Sequence, residues 1–132
     1  MSVLGRHPLL TIWLIVYGLG PVFGRAGSYI LALVRGHAEL DLNPVLVLFG
    51  YVVWILPAVV ITALAYTLFR TRGSVPLAPL LLAGGVLSYV TMVFVNFLAP
   101  PIDFDVLQAM TNALVVHLAA IFGCWAILRK LA

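Results

Sequence analysis

Long apolar runs separated by short polar breaks make up most of the chain. Three of these runs, residues 44–69, 75–98 and 106–128, each hold the roughly 20 apolar residues that a helix needs to cross the hydrocarbon core of a bilayer. The polar breaks between them are too short to form a separate soluble domain. The pattern therefore predicts three membrane-spanning helices in this part of the chain.

The first apolar region, residues 9–34, is less regular than the other three. Residues 18–27 are rich in glycine and bring Pro21 and Arg25 into the middle of the region. One interpretation is a single long, tilted helix that bends at Pro21 and lets Arg25 reach the headgroups. The other is a helix over residues 9–24 followed by a short helix at the membrane interface. We favour the single bent helix.

Residue types at the predicted span ends agree with these boundaries. Asn43 can cap a helix that begins at Pro44, because proline is tolerated in the first turn. Asp105 and Gln108 have the three-residue spacing of a capping box at the start of the last span. Since the connections are short, consecutive spans should be antiparallel neighbours. The predicted fold is an all-α membrane protein in which residues 1–132 form one four-helix antiparallel transmembrane bundle.

Composition indicates that lipid is the solvent for most of the chain. Hydrophobic residues make up 64% of its 132 residues, charged residues make up 8%, and the mean hydropathy is +1.21. The formal net charge is +3, but the basic residues form no cluster and no nucleic-acid-binding motif. With one cysteine, Cys124, the chain has no internal disulfide and no CxxC site. We therefore expect a lipid bilayer as partner, and no nucleic acid.

The distribution of basic residues predicts the orientation of the bundle. If the N-terminus is cytoplasmic, Arg25 and Arg35 lie outside and the other five basic residues lie on the cytoplasmic side. These five are Arg6, Arg70, Arg72, Arg129 and Lys130. The positive-inside rule then places both termini in the cytoplasm. We expect an integral protein of a bacterial-type inner membrane.

Polar residues within the spans are the candidates for a site inside the membrane. They are His117, Asn112, Asn96, Tyr89 and Gln108. The third span carries two adjoining stripes of small and polar residues at helical spacing: Gly85, Tyr89, Met92 and Asn96, and Gly84, Ser88 and Thr91. We expect this face to point into the bundle, because small residues permit close approach and polar ones need partners.

His117 lies close to the centre of the last span and therefore near the middle of the membrane. A neutral imidazole there needs a hydrogen-bond partner. It could act as an axial haem ligand or as a proton relay. Haem usually takes a second axial ligand, and relays usually include carboxylates, yet the spans contain no further histidine and no acid. We favour a neutral histidine bonded to a neighbouring helix, and expect no cofactor.

The predicted outer loops hold five possible metal ligands. They are His37, Glu39, Asp41, Asp103 and Asp105. Oxygen and imidazole ligands of this kind suit a divalent cation if the two loops meet. We favour ordinary solvated loops, because Asp105 is already explained as a helix cap. Arg25 is expected to reach the outer headgroups; the alternative is that it binds an anionic lipid headgroup or pairs with Asp103.

No nucleophile with its base, carboxylate pair or metal constellation occurs at a suitable spacing, so we expect no enzymatic activity. The leading hypothesis is an accessory or assembly subunit that packs against larger membrane partners or against copies of itself. One alternative is a small homo-oligomeric channel or transporter for a small polar or ionic solute, with a path lined by Asn96, Asn112 and His117. Another is a haem- or quinone-contacting subunit of an electron-transfer complex.

Overall fold

The structure, a computed structural model, describes residues 3–36, 44–98 and 106–131. Five helices cover nearly all of this part of the chain: α1 (Val3–Arg6), α2 (Pro8–Val34), α3 (Pro44–Arg72), α4 (Leu77–Leu98) and α5 (Val106–Leu131). The described residues contain no strand, so the all-α prediction is confirmed. The four long helices are each long and apolar enough to cross a membrane, which confirms the prediction of four candidate spans.

The helix α2 continues through Pro21 without a break. It begins at Pro8, where a proline fits the first turn, and it ends before Gly36, whose φ of +81° suits glycine. Proline lacks a backbone N–H, so Pro21 leaves the carbonyl of Tyr17, four residues earlier, without its usual helical donor. The middle of α2 is therefore a place where backbone carbonyls can accept hydrogen bonds from other helices.

The four long helices form a closed ring in which each packs against two others. Helix α2 contacts α3 and α5, and α4 contacts the same two helices from the other side of the bundle. The contact between α2 and α5 is the most extensive, and that between α3 and α4 is the smallest. Helix α1 is a single turn that sequence patterning did not predict. It packs on α2 and α5 through the fully buried Leu4.

Close backbone approach holds α2 against α5. A Cβ atom added at Gly27 would lie 2.5 Å from Cβ of Ala119, and one at Gly24 would lie 2.9 Å from Cγ1 of Val116. On the other helix, Gly123 lies directly against the ring of Phe23. Small residues permit such close packing between membrane helices, where apolar association has little hydrophobic driving force. The two helices are therefore packed with no space for larger side chains.

Helix α4 buries only part of the face that was expected to point inward. Gly84 and Ser88 are buried, with Gly84 against the side chain of Ile121. Tyr89, by contrast, is 57% exposed, so the prediction that this residue faces the interior is wrong. The hydroxyl of Ser88 donates to the carbonyl of Gly85, 2.7 Å away in the same helix. The physical reason for the exposure of Tyr89 is that Gly84 lets α4 approach Ile121 of α5, and Tyr89 lies about 140° around the helix from Gly84. The stripe with the smaller side chains then takes the closer contact with α5.

Candidate functional site

His117 is buried in α5 and is held by its own helix. Its side chain is 6% exposed, and Nδ1 lies 2.7 Å from the carbonyl oxygen of Ala113. A carbonyl can only accept, so Nδ1 carries the proton and Nε2 of the neutral ring is an acceptor. Among the described residues, none donates to this buried Nε2. The expected bond between His117 and a neighbouring helix is therefore not made by any described residue.

The ring of Trp54, on α3, is the aromatic neighbour of His117. The two ring centroids are 5.6 Å apart and the rings meet edge to face at 60°. Trp54 also covers Gly20 of α2, where an added Cβ would collide with the indole. This indole therefore links α2, α3 and α5 near the middle of the bundle.

Two aromatic side chains of α3 donate to the backbone of α2 just before Pro21. Nε1 of Trp54 donates to the carbonyl of Val16 at 2.8 Å, and the hydroxyl of Tyr51 donates to the carbonyl of Gly18 at 2.7 Å. These carbonyls flank the turn that lost a helical N–H to proline. Inside a membrane every such bond matters, because no water is available to replace it. The two donors stabilise the proline turn and fix α3 against it.

Cys124 completes this group of contacts from α5. Its thiol is buried and lies 3.5 Å from the carbonyl of Ile15, at the distance of a weak sulfur hydrogen bond. His117 lies seven residues earlier on the same helix, about 10 Å along the axis, which is too far for one metal ion to bridge. Among the described residues, no group of three His, Cys, Asp or Glu side chains could hold a metal.

The structure places no other polar candidate with a described side chain beside His117. Asn112 is exposed, and its Oδ1 accepts a hydrogen bond of 2.9 Å from Nη1 of Arg35 at the end of α2. Asn96 and Gln108 fall within α4 and α5, but their side chains lie outside the described part of the structure. Asn112 and His117 therefore have different surroundings, one exposed and one buried.

The predictions for Arg25 and for the five loop ligands remain predictions. Arg25 is half-buried on α2, and Asp103, its possible partner, lies outside the described residues. The proposed loop ligands also lie outside the described residues. They are His37, Glu39, Asp41, Asp103 and Asp105.

An open apolar groove runs along the outer side of α4 and α5. Its volume is about 730 Å³. Its lining residues are Ala78, Leu81, Leu82, Gly85, Val86, Tyr89, Leu114 and Leu118. The hydroxyl of Tyr89 is the polar side-chain group of this lining. We call this feature the α4 groove.

Sequence reasoning missed both the contacts of Trp54 and the existence of the α4 groove. A tryptophan in mid-span is a usable signal, because its N–H needs an acceptor and the backbone around a proline turn in another span is accessible to one. The spacing of Gly20 and Gly24, four residues apart, is a second missed signal, since it is typical of close helix packing in membranes. The groove was missed because Gly85 and Tyr89, which line it, are expected from the sequence to face the interior of the bundle.

Comparison of the chain with protein-family models, with curated protein sequences and with solved structures gives no match.

Proposed function

We propose that this protein is a non-enzymatic subunit of the inner membrane that associates with other membrane chains or with copies of itself. The observation that carries this proposal is the α4 groove, an open apolar cavity of about 730 Å³ on the outside of the bundle. The contact between α2 and α5, by contrast, is closed at Gly24, Gly27 and Gly123. A groove of this kind suits a helix from outside the chain, because close packing is the main source of helix association in lipid.

Contacts between helices support the proposed topology. Cys124, late in α5, contacts Ile15, early in α2, whereas Asn112, early in α5, contacts Arg35, just after α2 ends. This reversed order is that of an antiparallel pair. Helix α1 also touches α5, and Nε1 of Trp125 donates to the carbonyl of Val75, 2.8 Å away. Helix α1, the last turns of α5 and the turn after α3 then lie at one end of the bundle.

That end carries the basic residues expected in the cytoplasm. They are Arg6, Arg70, Arg72, Arg129 and Lys130. Arg129 lies over the ring of Trp125 at 5.4 Å, and Arg70 lies over Tyr66 at 6.0 Å, as amphipathic rings and cations do in the headgroup region. The positive-inside rule then supports cytoplasmic termini.

A channel role and a haem role have less support from the described residues. The channel hypothesis needs Asn112 and His117 on one path, but Asn112 is exposed beside Arg35 and His117 is buried against Trp54. The haem hypothesis needs His117 accessible to a large planar group, whereas its side chain is 6% exposed. A packing role agrees best with the buried position of His117 against Trp54.

The test is the mass of the native assembly. The tagged chain is expressed in its own membrane, extracted with mild detergent and weighed by native mass spectrometry. We expect a fixed stoichiometric species heavier than the single 14.3 kDa chain, made of further copies or of another membrane protein. Recovery of the single chain with lipid alone would overturn the proposal. Solute flux in proteoliposomes, lost on His117→Leu, would favour the channel hypothesis instead.

A further inference from the structure

The hydroxyl of Tyr89 lies at a depth where it needs a partner. Tyr89 follows Leu77, the first residue of α4, by twelve positions, which is about 18 Å along the helix axis, close to the middle of the hydrocarbon core. Helical side chains lean toward the N-terminus, so the hydroxyl does not reach the nearer headgroups. The side chain is 57% exposed, and no described residue is bonded to it. A polar group in this position favours a hydrogen bond to another chain.

Among the described residues, none packs tightly against Gly85. An added Cβ at Gly85 would meet only Cδ1 of Leu114, at an ordinary 3.9 Å, whereas one at the adjacent Gly84 would collide with Ile121. Glycine weakens a helix interior, and in the α4 groove the missing side chain leaves room for a helix from outside to approach closely. Gly85 and Tyr89 are one helical turn apart in the α4 groove, so both observations point to the same place.

The exposed residues on this side of α4 follow a heptad pattern. Leu82, Val86, Tyr89 and Val93 are separated by four, three and four residues, and all four are exposed. This is the spacing with which two parallel helices pack side by side. We propose that the α4 groove binds α4 of a second copy of this chain, in a parallel dimer about a two-fold axis normal to the membrane. This proposal rests on the proposed function and specifies that the partner is a second copy of the chain.

A second copy satisfies Tyr89 better than lipid does. Copies inserted under the same charge rule have the same orientation, so their α4 helices run parallel. About a two-fold axis each residue meets its own counterpart. A hydroxyl both donates and accepts, so the two Tyr89 side chains can bond to each other. The sequence of α4 contains no charged residue that would repel its copy.

Disulfide trapping in membranes tests this contact directly. Val86→Cys places a thiol on the heptad stripe, and Val52→Cys places one on α3 at a valine of similar exposure, 64% against 60%. We expect mild oxidation to convert most of the Val86→Cys chain to a covalent dimer, with at least tenfold less dimer for Val52→Cys. The parent chain, whose Cys124 is buried, gives the background. Equal yields from the two variants, or none from either, would overturn the proposal.

Two further variants test the groove without a covalent bond. Dimer dissociation is measured by energy transfer between labelled copies as they are diluted in lipid vesicles. We expect Gly85→Leu to weaken the dimer more than tenfold because it fills the groove, and Tyr89→Phe to weaken it about threefold to tenfold. Gly50→Leu is the matched control, because nothing lies within 4 Å of a Cβ added there. An equal loss with Gly50→Leu, or no loss with Gly85→Leu, would overturn the proposed contact.

The two proposals fail in different ways. A native assembly with another membrane protein, together with no Val86→Cys dimer, overturns the self-association and leaves the subunit function standing. A single chain in native mass spectrometry, with no disulfide at either position, overturns both.

Discussion

Glycines lie both at the interface between α2 and α5 and on the outer side of α4, but their surroundings differ. Gly24 and Gly27 have side chains of α5 within 3 Å of where a Cβ would stand. A Cβ at Gly85 would make a single ordinary contact, 3.9 Å from Cδ1 of Leu114. Gly24 and Gly27 allow α2 and α5 to pack closely, whereas Gly85 allows no comparably close contact between the described helices. A small residue in a membrane helix is thus informative only once its neighbours are known.

The two regions also differ in whether their polar groups have hydrogen-bond partners among the described residues. Between α2 and its neighbours, carbonyls near Pro21 receive donors from Trp54, Tyr51 and Cys124. On the outer side of α4, the hydroxyl of Tyr89 has no described partner. We interpret the carbonyls of the first region as having their donors within one chain, and the hydroxyl of Tyr89 as bonding to a second chain.

The largest expected effect is that of Gly27→Leu at the closed interface. Leucine cannot fit, because even its Cβ would lie 2.5 Å from Cβ of Ala119. We expect the free energy of unfolding to fall by about 3 kcal/mol or more, as overpacking of a tight contact does. SDS titration of the chain in mixed micelles, followed by circular dichroism, measures it.

Gly50→Leu is the control for Gly27→Leu, because the space around Gly50 is open. It should change the free energy of unfolding by much less. Similar losses from the two variants would mean that the contrast between closed and open glycines does not govern stability.

Trp54→Phe should have the next largest effect. Phenylalanine keeps an aromatic ring but loses the bond to the carbonyl of Val16 and some of the contact over Gly20. We expect a loss of about 2 kcal/mol in the free energy of unfolding. Trp125→Phe is the comparison: it loses an equal bond of 2.8 Å to Val75, but at the span end, where water can substitute.

SDS titration of both tryptophan variants measures this difference. The loss for Trp125→Phe should be at most half of that for Trp54→Phe. A larger loss at Trp125 would contradict the view that the carbonyls before Pro21 are the critical acceptors.

Sequence patterning was able to predict the helices because each span has to satisfy its backbone internally and meet lipid with apolar side chains. The predicted start of the last span agrees with α5, which begins at Val106. Patterning failed on which side of α4 faces inward. Gly84 and Gly85 are adjacent and identical in type, and only the position of Ile121 distinguishes them.

The candidate sites were harder to predict for a related reason. The sequence predicts that His117 lies near the middle of the membrane, but its bond to Ala113 within the same helix depends on rotamer choice, which no residue spacing reveals. The channel hypothesis places Asn112 on one path with His117, whereas the partner of Asn112 is Arg35. In a membrane span, apolar residues do not mark the buried face as they do in a soluble helix, so the direction of a polar residue is not encoded by periodicity.

The adjacent glycines of α4 should respond to alanine in opposite directions. Gly84→Ala forces the side chain of Ile121 to move, and we expect a loss of about 1–2 kcal/mol in the free energy of unfolding. Gly85→Ala has room for its methyl group and removes a flexible residue from a helix interior, so we expect a gain of about 0.5–1 kcal/mol. The measurement is SDS titration at a dilution where the chain is monomeric. Equal losses of stability from Gly84→Ala and Gly85→Ala would show that the space beside Gly85 is filled in the micelle.

The smallest expected effect is that of His117→Leu, although the residue is buried near the middle of the bundle. Its Nδ1 bonds to a carbonyl of its own helix, and its Nε2 has no donor among the described residues. Leucine has a similar volume and removes this unpaired acceptor, so lost packing against Trp54 is offset by a lower cost of burial. We expect the free energy of unfolding to change by at most about 1 kcal/mol in SDS titration.

A much larger loss from His117→Leu would mean that Nε2 has a partner outside the described residues, and that the interior is not complete within one chain. His117→Asn distinguishes the causes. Asparagine restores a polar group but not the ring contact with Trp54. If asparagine recovers the stability that leucine loses, the missing interaction is a hydrogen bond to Nε2, and His117 joins Tyr89 as a group that another molecule completes. If leucine is tolerated and asparagine is not, the imidazole acts in the closed region as a packing side chain.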